Sequence, residues 1–132
     1  MDITTLAASA TATLTLKHPA TGEPMPGVTV TLYGPGSREH SAATARRNQR
    51  LFDRLATKGG KTAKIDAAEQ LREQAEFLAA CTADIGGWDY KGATGRDAVQ
   101  AAYADQSVGW IAEQVGAALG DWATFLPSQP AS

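Results

Sequence analysis

The chain has 132 residues, 43% of them hydrophobic, and a net charge of −2, a composition typical of one globular domain. Its single cysteine, Cys81, excludes an intramolecular disulfide. The first sixteen residues lack the cationic leader and unbroken apolar run of a signal peptide, and no stretch approaches the ~20 apolar residues of a membrane span. We therefore expect a cytosolic domain over residues 1–126, followed by a flexible tail over 127–132.

Two strands are predicted near the N-terminus. Residues 11–17 (TATLTLK) and 28–33 (VTVTLY) alternate apolar side chains with threonines, which is the period of a half-buried strand. The intervening segment HPATGEPMPG holds three prolines and two glycines and is typical of a wide turn. Because an isolated hairpin is marginally stable in water, we expect its apolar face to lie against helices.

A long helix is predicted next. Ser37 follows a glycine–proline turn and is expected to cap a helix over residues 38–57. Near the end of that helix, Leu51, Phe52 and Leu55 are expected to form a buried stripe.

The segment LATKGGKTAKID (55–66) ends its glycine pair with lysine and threonine, as a phosphate-binding loop does. That loop also needs an earlier glycine, where this chain has Leu55, and a buried strand before it. We therefore interpret the segment as a turn between helices. The second helix is predicted over residues 64–82, where Cys81 is expected to be a small buried side chain.

The remaining elements are shorter. Residues 84–92 (DIGGWDYKG) are predicted to be rich in turns, or to form two short strands around the glycine pair. A short helix over 95–104 and a last helix beginning near Asp105 or Ser107 follow, with a break at Gly120. The predicted fold class is α+β: an N-terminal antiparallel β-hairpin followed by a bundle of about four helices.

Charge is segregated along the chain. Residues 38–64 contain eight basic and two acidic residues, a balance of +6, whereas residues 65–132 contain three basic and ten acidic residues, a balance of −7. Arg46, Arg50 and Arg54 recur every four residues and therefore share one helix face.

Three interpretations of this basic face are open. The favoured one is a ladder of ion pairs with the acidic second helix, running Arg54 to Glu69, Arg50 to Glu73 and Arg47 to Glu76. The second is a solvated face. Nucleic-acid binding is the least favoured, because the overall charge is negative and no aromatic side chain is interleaved for stacking on bases.

The sequence predicts no catalytic, cofactor or metal site. The two histidines, His18 and His40, fall in no metal-ligand pattern, and no serine or threonine lies in a nucleophile-elbow context. Acidic residues are too scattered to select a catalytic pair. We therefore expect a protein that acts by binding other proteins.

The last helix is predicted to carry an apolar stripe that continues over five turns. Its members follow spacings of three and four: Val108, Ile111, Val115, Ala118, Trp122 and Phe125. The favoured interpretation is that they form the core above the hairpin. The alternative is that Trp110, Trp122 and Phe125 stay partly exposed and dock a partner helix, since aromatic anchors commonly dominate protein interfaces.

The order of these segments resembles the tail assembly chaperones of long-tailed bacteriophages. The likeness spans roughly residues 10–126 and rests on EQAEFLAACTAD, the aromatic turn GGWDYKG, RDAVQAAYADQSVGWIAEQV and the closing DWATFL. It implies a protein that binds the helical tape measure protein in the host cytoplasm, helps recruit tail tube subunits and is absent from the virion. The candidate partner-binding residues, taken from the last helix and the basic face, are Trp110, Trp122, Phe125, Arg46, Arg50 and Arg54.

Two rival functions are kept. The chain could be a structural minor tail or head–tail joining protein that stays in the virion. It could also be a small regulator that binds nucleic acid through Arg46, Arg50 and Arg54. Self-association through the charged helices is a further expectation.

Overall fold

A computed structural model of the chain describes residues 1–57 and 67–126. Its strands and α-helices are β1 (Thr11–Lys17), β2 (Pro24–Tyr33), α1 (Arg38–Thr57), α2 (Ala67–Ala80), β3 (Thr82–Gly86), α3 (Arg96–Ala104) and α4 (Gly109–Leu119). Short 3-10 helices lie at Ile3–Leu6, Gln106–Val108 and Trp122–Phe125. The α+β class, with an N-terminal hairpin followed by helices, is confirmed. The predicted glycine turn around residues 59–62 and the predicted tail over 127–132 lie outside the described residues.

The three strands form an antiparallel sheet in the order β1-β2-β3. The predicted hairpin is confirmed, with Leu14 opposite Val30, but β2 begins at Pro24 rather than at residue 28. The early start is tolerated because β3 pairs with β2 only from Thr29 onward, so the proline segment lies beyond the end of that ladder.

Strand β3 differs from the prediction, which placed turns or two short strands at residues 84–92. Helix α2 ends at Ala80, two residues earlier than expected, and the chain turns through Cys81 directly into β3. The strand ends at Gly86. The next residue, Gly87, has a φ of 75° that favours glycine and lies against the backbone of Gly27, where an added Cβ would come within 1.9 Å of the Gly27 carbonyl oxygen.

The core lies between the sheet and α2, α3 and α4. Its members from the sheet are Leu16, Val30 and Leu32, and those from α4 include Ile111, Val115 and Leu119. Each fully buried side chain of this kind contributes about 1.5–3 kcal/mol. The expectation that the apolar face of the hairpin is covered by helices is confirmed.

Helix α4 also closes the outer edge of β1. The Gln114 side chain accepts a hydrogen bond from the Lys17 N–H at 2.8 Å and donates one to the Lys17 carbonyl at 2.9 Å. Two residues before the strand, the Ser9 N–H donates to the Phe125 carbonyl at 2.7 Å. Two elements from the C-terminal part of the chain thus bond backbone groups at the end of β1 and just before its start.

Helix α1 has the predicted bounds and the predicted cap, since the Ser37 hydroxyl accepts from the His40 N–H at 3.1 Å. The predicted buried stripe is wrong. Leu51 is 51% exposed and Phe52 67% exposed, while Leu55 is half-buried. Leu51 lies about 100° around the helix from Arg50, and Phe52 about 200°. Because the Arg50 side of the helix meets α2, both side chains point away from it.

The last α-helix is shorter than predicted. Asp105 caps the 3-10 helix at Gln106–Val108 by accepting from the Ser107 N–H at 2.9 Å, and α4 then runs to Leu119 with Gly120 as its C-cap. The predicted break at Gly120 is confirmed. The predicted continuous five-turn stripe is wrong, because the chain continues as the 3-10 helix at Trp122–Phe125.

Candidate partner-binding surface

Helices α1 and α2 are joined by two ion pairs. Arg50 pairs with Glu76, and Arg54 pairs with Glu73. A later residue of α1 meets an earlier residue of α2, so the two helices run antiparallel, as predicted. All four side chains are partly exposed, and such pairs each stabilise a fold by under about 1 kcal/mol.

The register of this ladder differs from the prediction by one step, and an aromatic contact explains the difference. The Arg47 guanidinium lies 4.0 Å from the centre of the Phe77 ring, where it makes a cation–π contact instead of the predicted pair with Glu76. His40 packs edge-on against the same ring, with centroids 5.7 Å apart. Burial, and then the charge of Arg47, lower the pKa of His40.

These contacts use most of the predicted basic face. Arg50 and Arg54 are paired with carboxylates, and Arg47 lies on the Phe77 ring. Within residues 1–57 and 67–126, Arg46 makes no ion pair. One side chain of the described face thus keeps an uncompensated charge, whereas neutralising a nucleic-acid backbone requires several.

The opposite side of α1 carries several apolar side chains that are turned to solvent. We call it the outer face of α1 and define it by Ala45, Phe52 and Ala56, all exposed, with Leu51 and Leu55 beside them. The spacings of seven and four keep the first three on one side of the helix. Small residues on either side of an exposed aromatic ring leave room for another helix to pack closely.

The C-terminal aromatic side chains are not equivalent. Trp122 is 56% exposed, whereas Phe125 is 1% exposed. The Phe125 ring packs on Gly34, where an added Cβ would lie 2.5 Å from its Cδ1 atom, so this ring belongs to the core and the expectation that it docks a partner is wrong. Trp110 is half-buried and packs against the core. Of the three, Trp122 alone presents most of its ring to solvent.

Trp122 is held at a defined place on the surface. Its ring lies 3.9 Å from the position that a Cβ of Gly36 would occupy, and Ala8 lies 3.7 Å from the same point. Asp121 caps the 3-10 helix by accepting from the Ala123 N–H at 3.0 Å. An exposed indole on a capped 3-10 helix is a suitable interface anchor, since aromatic side chains commonly dominate interfaces.

Cys81 is buried, as predicted, and burial raises its pKa to about 11. Such a thiol is inert as a nucleophile at neutral pH. The described part of the chain contains no group of three His, Cys, Asp or Glu side chains that could hold a metal ion. Over the same residues, no helix is long and apolar enough to cross a membrane.

Comparison of the chain with protein-family models, with curated proteins and with solved structures finds no significant match.

Proposed function

We propose that this protein is a tail assembly chaperone of a long-tailed bacteriophage. In this role it binds the tape measure protein in the host cytoplasm, helps recruit tail tube subunits and is left out of the finished virion. The order of its sequence segments resembles that family, and its surface is suited to holding an elongated helical client.

The observation that carries the proposal is the outer face of α1. Leu51 and Phe52 are exposed large apolar side chains on a 20-residue helix that is held to the rest of the protein by its other side. An apolar helix face of this kind binds a partner helix through anchors spaced three or four residues apart. A client of that form is what a tape measure protein provides.

Trp122 supplies a second anchor. Truncation of a central aromatic anchor commonly costs an interface about 2 kcal/mol or more, which corresponds to about 30-fold in affinity. The client-binding set that we propose is therefore Leu51, Phe52 and Trp122. Arg46 is kept as a peripheral charge, while Arg50 and Arg54 orient α1 against α2.

The test is co-expression with the tape measure protein of the same phage. The wild-type chain is expected to keep that protein soluble and to co-purify with it. The double variant Leu51→Ser with Phe52→Ser, and separately Trp122→Ala, should each reduce co-purification by about 30-fold. Their melting temperatures should stay within about 2 °C of wild type, because exposed side chains contribute little to stability.

A matched control is Ile3→Ser, which removes another exposed aliphatic side chain, 72% exposed, from a different element. It should bind like wild type. If the wild-type chain does not bind the tape measure protein at all, the proposed function is wrong. If it binds and the α1 and Trp122 variants bind equally well, the function stands and the surface is wrong.

The virion-protein alternative makes a different prediction. Mass spectrometry of purified particles should lack this chain if it is an assembly chaperone, and should contain it in fixed stoichiometry if it is a minor tail or joining protein.

A further inference from the structure

The two edge strands of the sheet, β1 and β3, differ in what lies beside them. Beside β1, Gln114 bonds the backbone of the last residue, Lys17, and the Phe125 carbonyl bonds Ser9, two residues before the strand. The β3 edge has no neighbouring strand among the residues that the structure describes. An open edge is a template for an extended segment of another chain, which can pair with it through main-chain hydrogen bonds.

A groove runs beside the β3 edge. It encloses about 540 Å³, within the roughly 300–1,000 Å³ of typical ligand sites. Helix α1 contributes one wall, and the start of α3 contributes the other. Besides Tyr33, the apolar lining comes from small or medium side chains, among them Ala79, Ala80, Ile85 and Val99, which leave space for an apolar side chain of a guest.

The backbone of Ile85 is the point at which a guest can pair. Asp84 and Gly86 are opposite Thr31 and Thr29 of β2. Between them, the Ile85 N–H does not bond to β2 but donates to the carboxylate of Asp84 at 2.8 Å. That bond is local and exposed, so a carbonyl oxygen of a guest strand can replace it. Ala83, two residues before Ile85, lies at a register shift, which limits the pairing to a short stretch.

The charges around the groove select the guest. Two guanidinium groups line it, from Arg46 and Arg96, and neither makes an ion pair with any residue in the described ranges. The lining also holds two carboxylates. Glu39 lies in the first turn of α1, where the helix dipole favours negative charge, and Asp84 is released from the Ile85 N–H when a guest pairs there. The two guanidinium groups, which form no ion pair with the groove's own carboxylates, are the groups that carboxylates of a guest can bind.

We propose that this groove binds an extended acidic segment of another protein. A short stretch of the guest pairs with β3 at Ile85, its alternate apolar side chains enter the space above Ala79 and Val99, and its carboxylates meet Arg46 and Arg96. This inference does not rest on the proposed chaperone function, because none of the proposed client anchors, Leu51, Phe52 and Trp122, lines the groove.

The test uses a blocked, dye-labelled eight-residue peptide in which glutamate alternates with valine. Fluorescence anisotropy at low salt should show saturable binding, and a peptide with lysine in place of glutamate should bind about tenfold more weakly. Methylating alternate backbone nitrogens of the acidic peptide should abolish binding, because the guest then lacks the donor for the Ile85 carbonyl. Equal binding of the acidic and basic peptides would overturn the charge assignment, and unchanged binding after methylation would overturn the strand pairing.

Variants of the protein locate the site. Arg46→Glu and Arg96→Glu should each lower the affinity for the acidic peptide about tenfold. The control is Arg72→Glu, on the exposed surface of α2 and outside the groove. It should change that affinity less than about twofold, by its charge alone. If all three variants weaken binding equally, the peptide is held by general charge and the groove is not the site.

Asp84 separates the two parts of the proposal. Asp84→Asn removes a negative charge but keeps an oxygen that can cap Ile85, whereas Asp84→Ala removes both. Binding should therefore tighten from wild type to Asp84→Asn and again to Asp84→Ala. An Asp84→Ala variant no tighter than Asp84→Asn would show that the Ile85 N–H does not pair with the guest.

Discussion

Helices α1 and α4 place their apolar residues in opposite ways. Helix α4 has 11 residues and buries five of them, among them Ile111, Val115 and Leu119. Helix α1 has 20 residues, and Ala43 is the buried one among its described side chains. Hydrophobic burial therefore holds α4, while ion pairs and a cation–π contact hold α1. We expect α1 to open at a lower free energy than α4, since local stability follows buried apolar contacts.

The largest expected effect comes from the core that α4 and the C-terminal 3-10 helix share. Phe125→Ala should lower the free energy of unfolding by about 3–5 kcal/mol, the usual loss for a buried aromatic ring. Trp122→Ala, three residues away but exposed, should lower it by less than about 1 kcal/mol. Urea denaturation of both variants measures the difference. Equal losses of unfolding free energy would contradict the burial of Phe125 in the core and the exposure of Trp122 at the surface.

Gly34→Ala tests the packing beneath Phe125. An added Cβ would lie 2.5 Å from the ring, so the ring must shift, at about 1–3 kcal/mol of unfolding free energy. The matched control is Gly109→Ala in α4, where nothing lies within 4 Å of the added carbon. That change should leave stability unchanged or raise it by up to about 1 kcal/mol. A Gly34→Ala protein as stable as wild type would contradict the described packing.

A double-mutant cycle tests how α1 is held. Reversing Arg50 to Glu should destabilise the fold by about 1 kcal/mol or less, and adding Glu76→Arg should restore part of the loss. The cross-control combines Arg50→Glu with Glu73→Arg, whose side chains do not pair with each other. Coupling should be larger for the first combination. Equal coupling would show that the charged helices attract without a fixed register.

The smallest expected effect is a pH dependence from His40. Burial beside Phe77 and Arg47 lowers the pKa of this group from its ordinary 6.5, so the unfolded chain binds a proton at a higher pH than the folded one. Stability should therefore fall as the pH drops below about 6.5, until the folded group also titrates. His40→Phe should flatten the curve of unfolding free energy between pH 7.5 and pH 5. A variant with the wild-type slope would contradict this assignment.

Much of the fold could be predicted from local patterns. The alternating strands, the Ser37 cap and the break at Gly120 each follow from a few neighbouring residues, and the structure contains all three. A short strand before the glycine pair is one of the two expectations for residues 84–92, but the bounds and partner of β3 could not be predicted, because its five residues include two glycine or alanine positions and one aspartate. Its pairing depends on β2, which is about fifty residues away in the chain.

The candidate surface was harder to predict than the fold. The acidic and basic stripes correctly paired α1 with α2, but the ladder register depended on Arg47 choosing the Phe77 ring, a tertiary contact. The sequence pattern predicts that Leu51 and Phe52 are buried, because large apolar residues usually are, whereas both are exposed. One signal could have corrected this: if the arginine face meets α2, residues one and two positions after Arg50 must point elsewhere. Phe125 and Trp122 are both large aromatic residues, so the sequence does not tell which one is buried. The Phe125 ring is buried because it packs on Gly34.

The single thiol of the chain can report how often the core around it opens. Cys81 is fully buried and its pKa is raised to about 11, so an alkylating reagent reaches a reactive thiolate only when the surrounding core opens. The rate at which one equivalent of reagent is consumed under native conditions therefore counts openings of the region where α2 passes into β3. If a client helix bound to α1 leaves this rate unchanged, then α1 can move with its client without opening the core around Cys81.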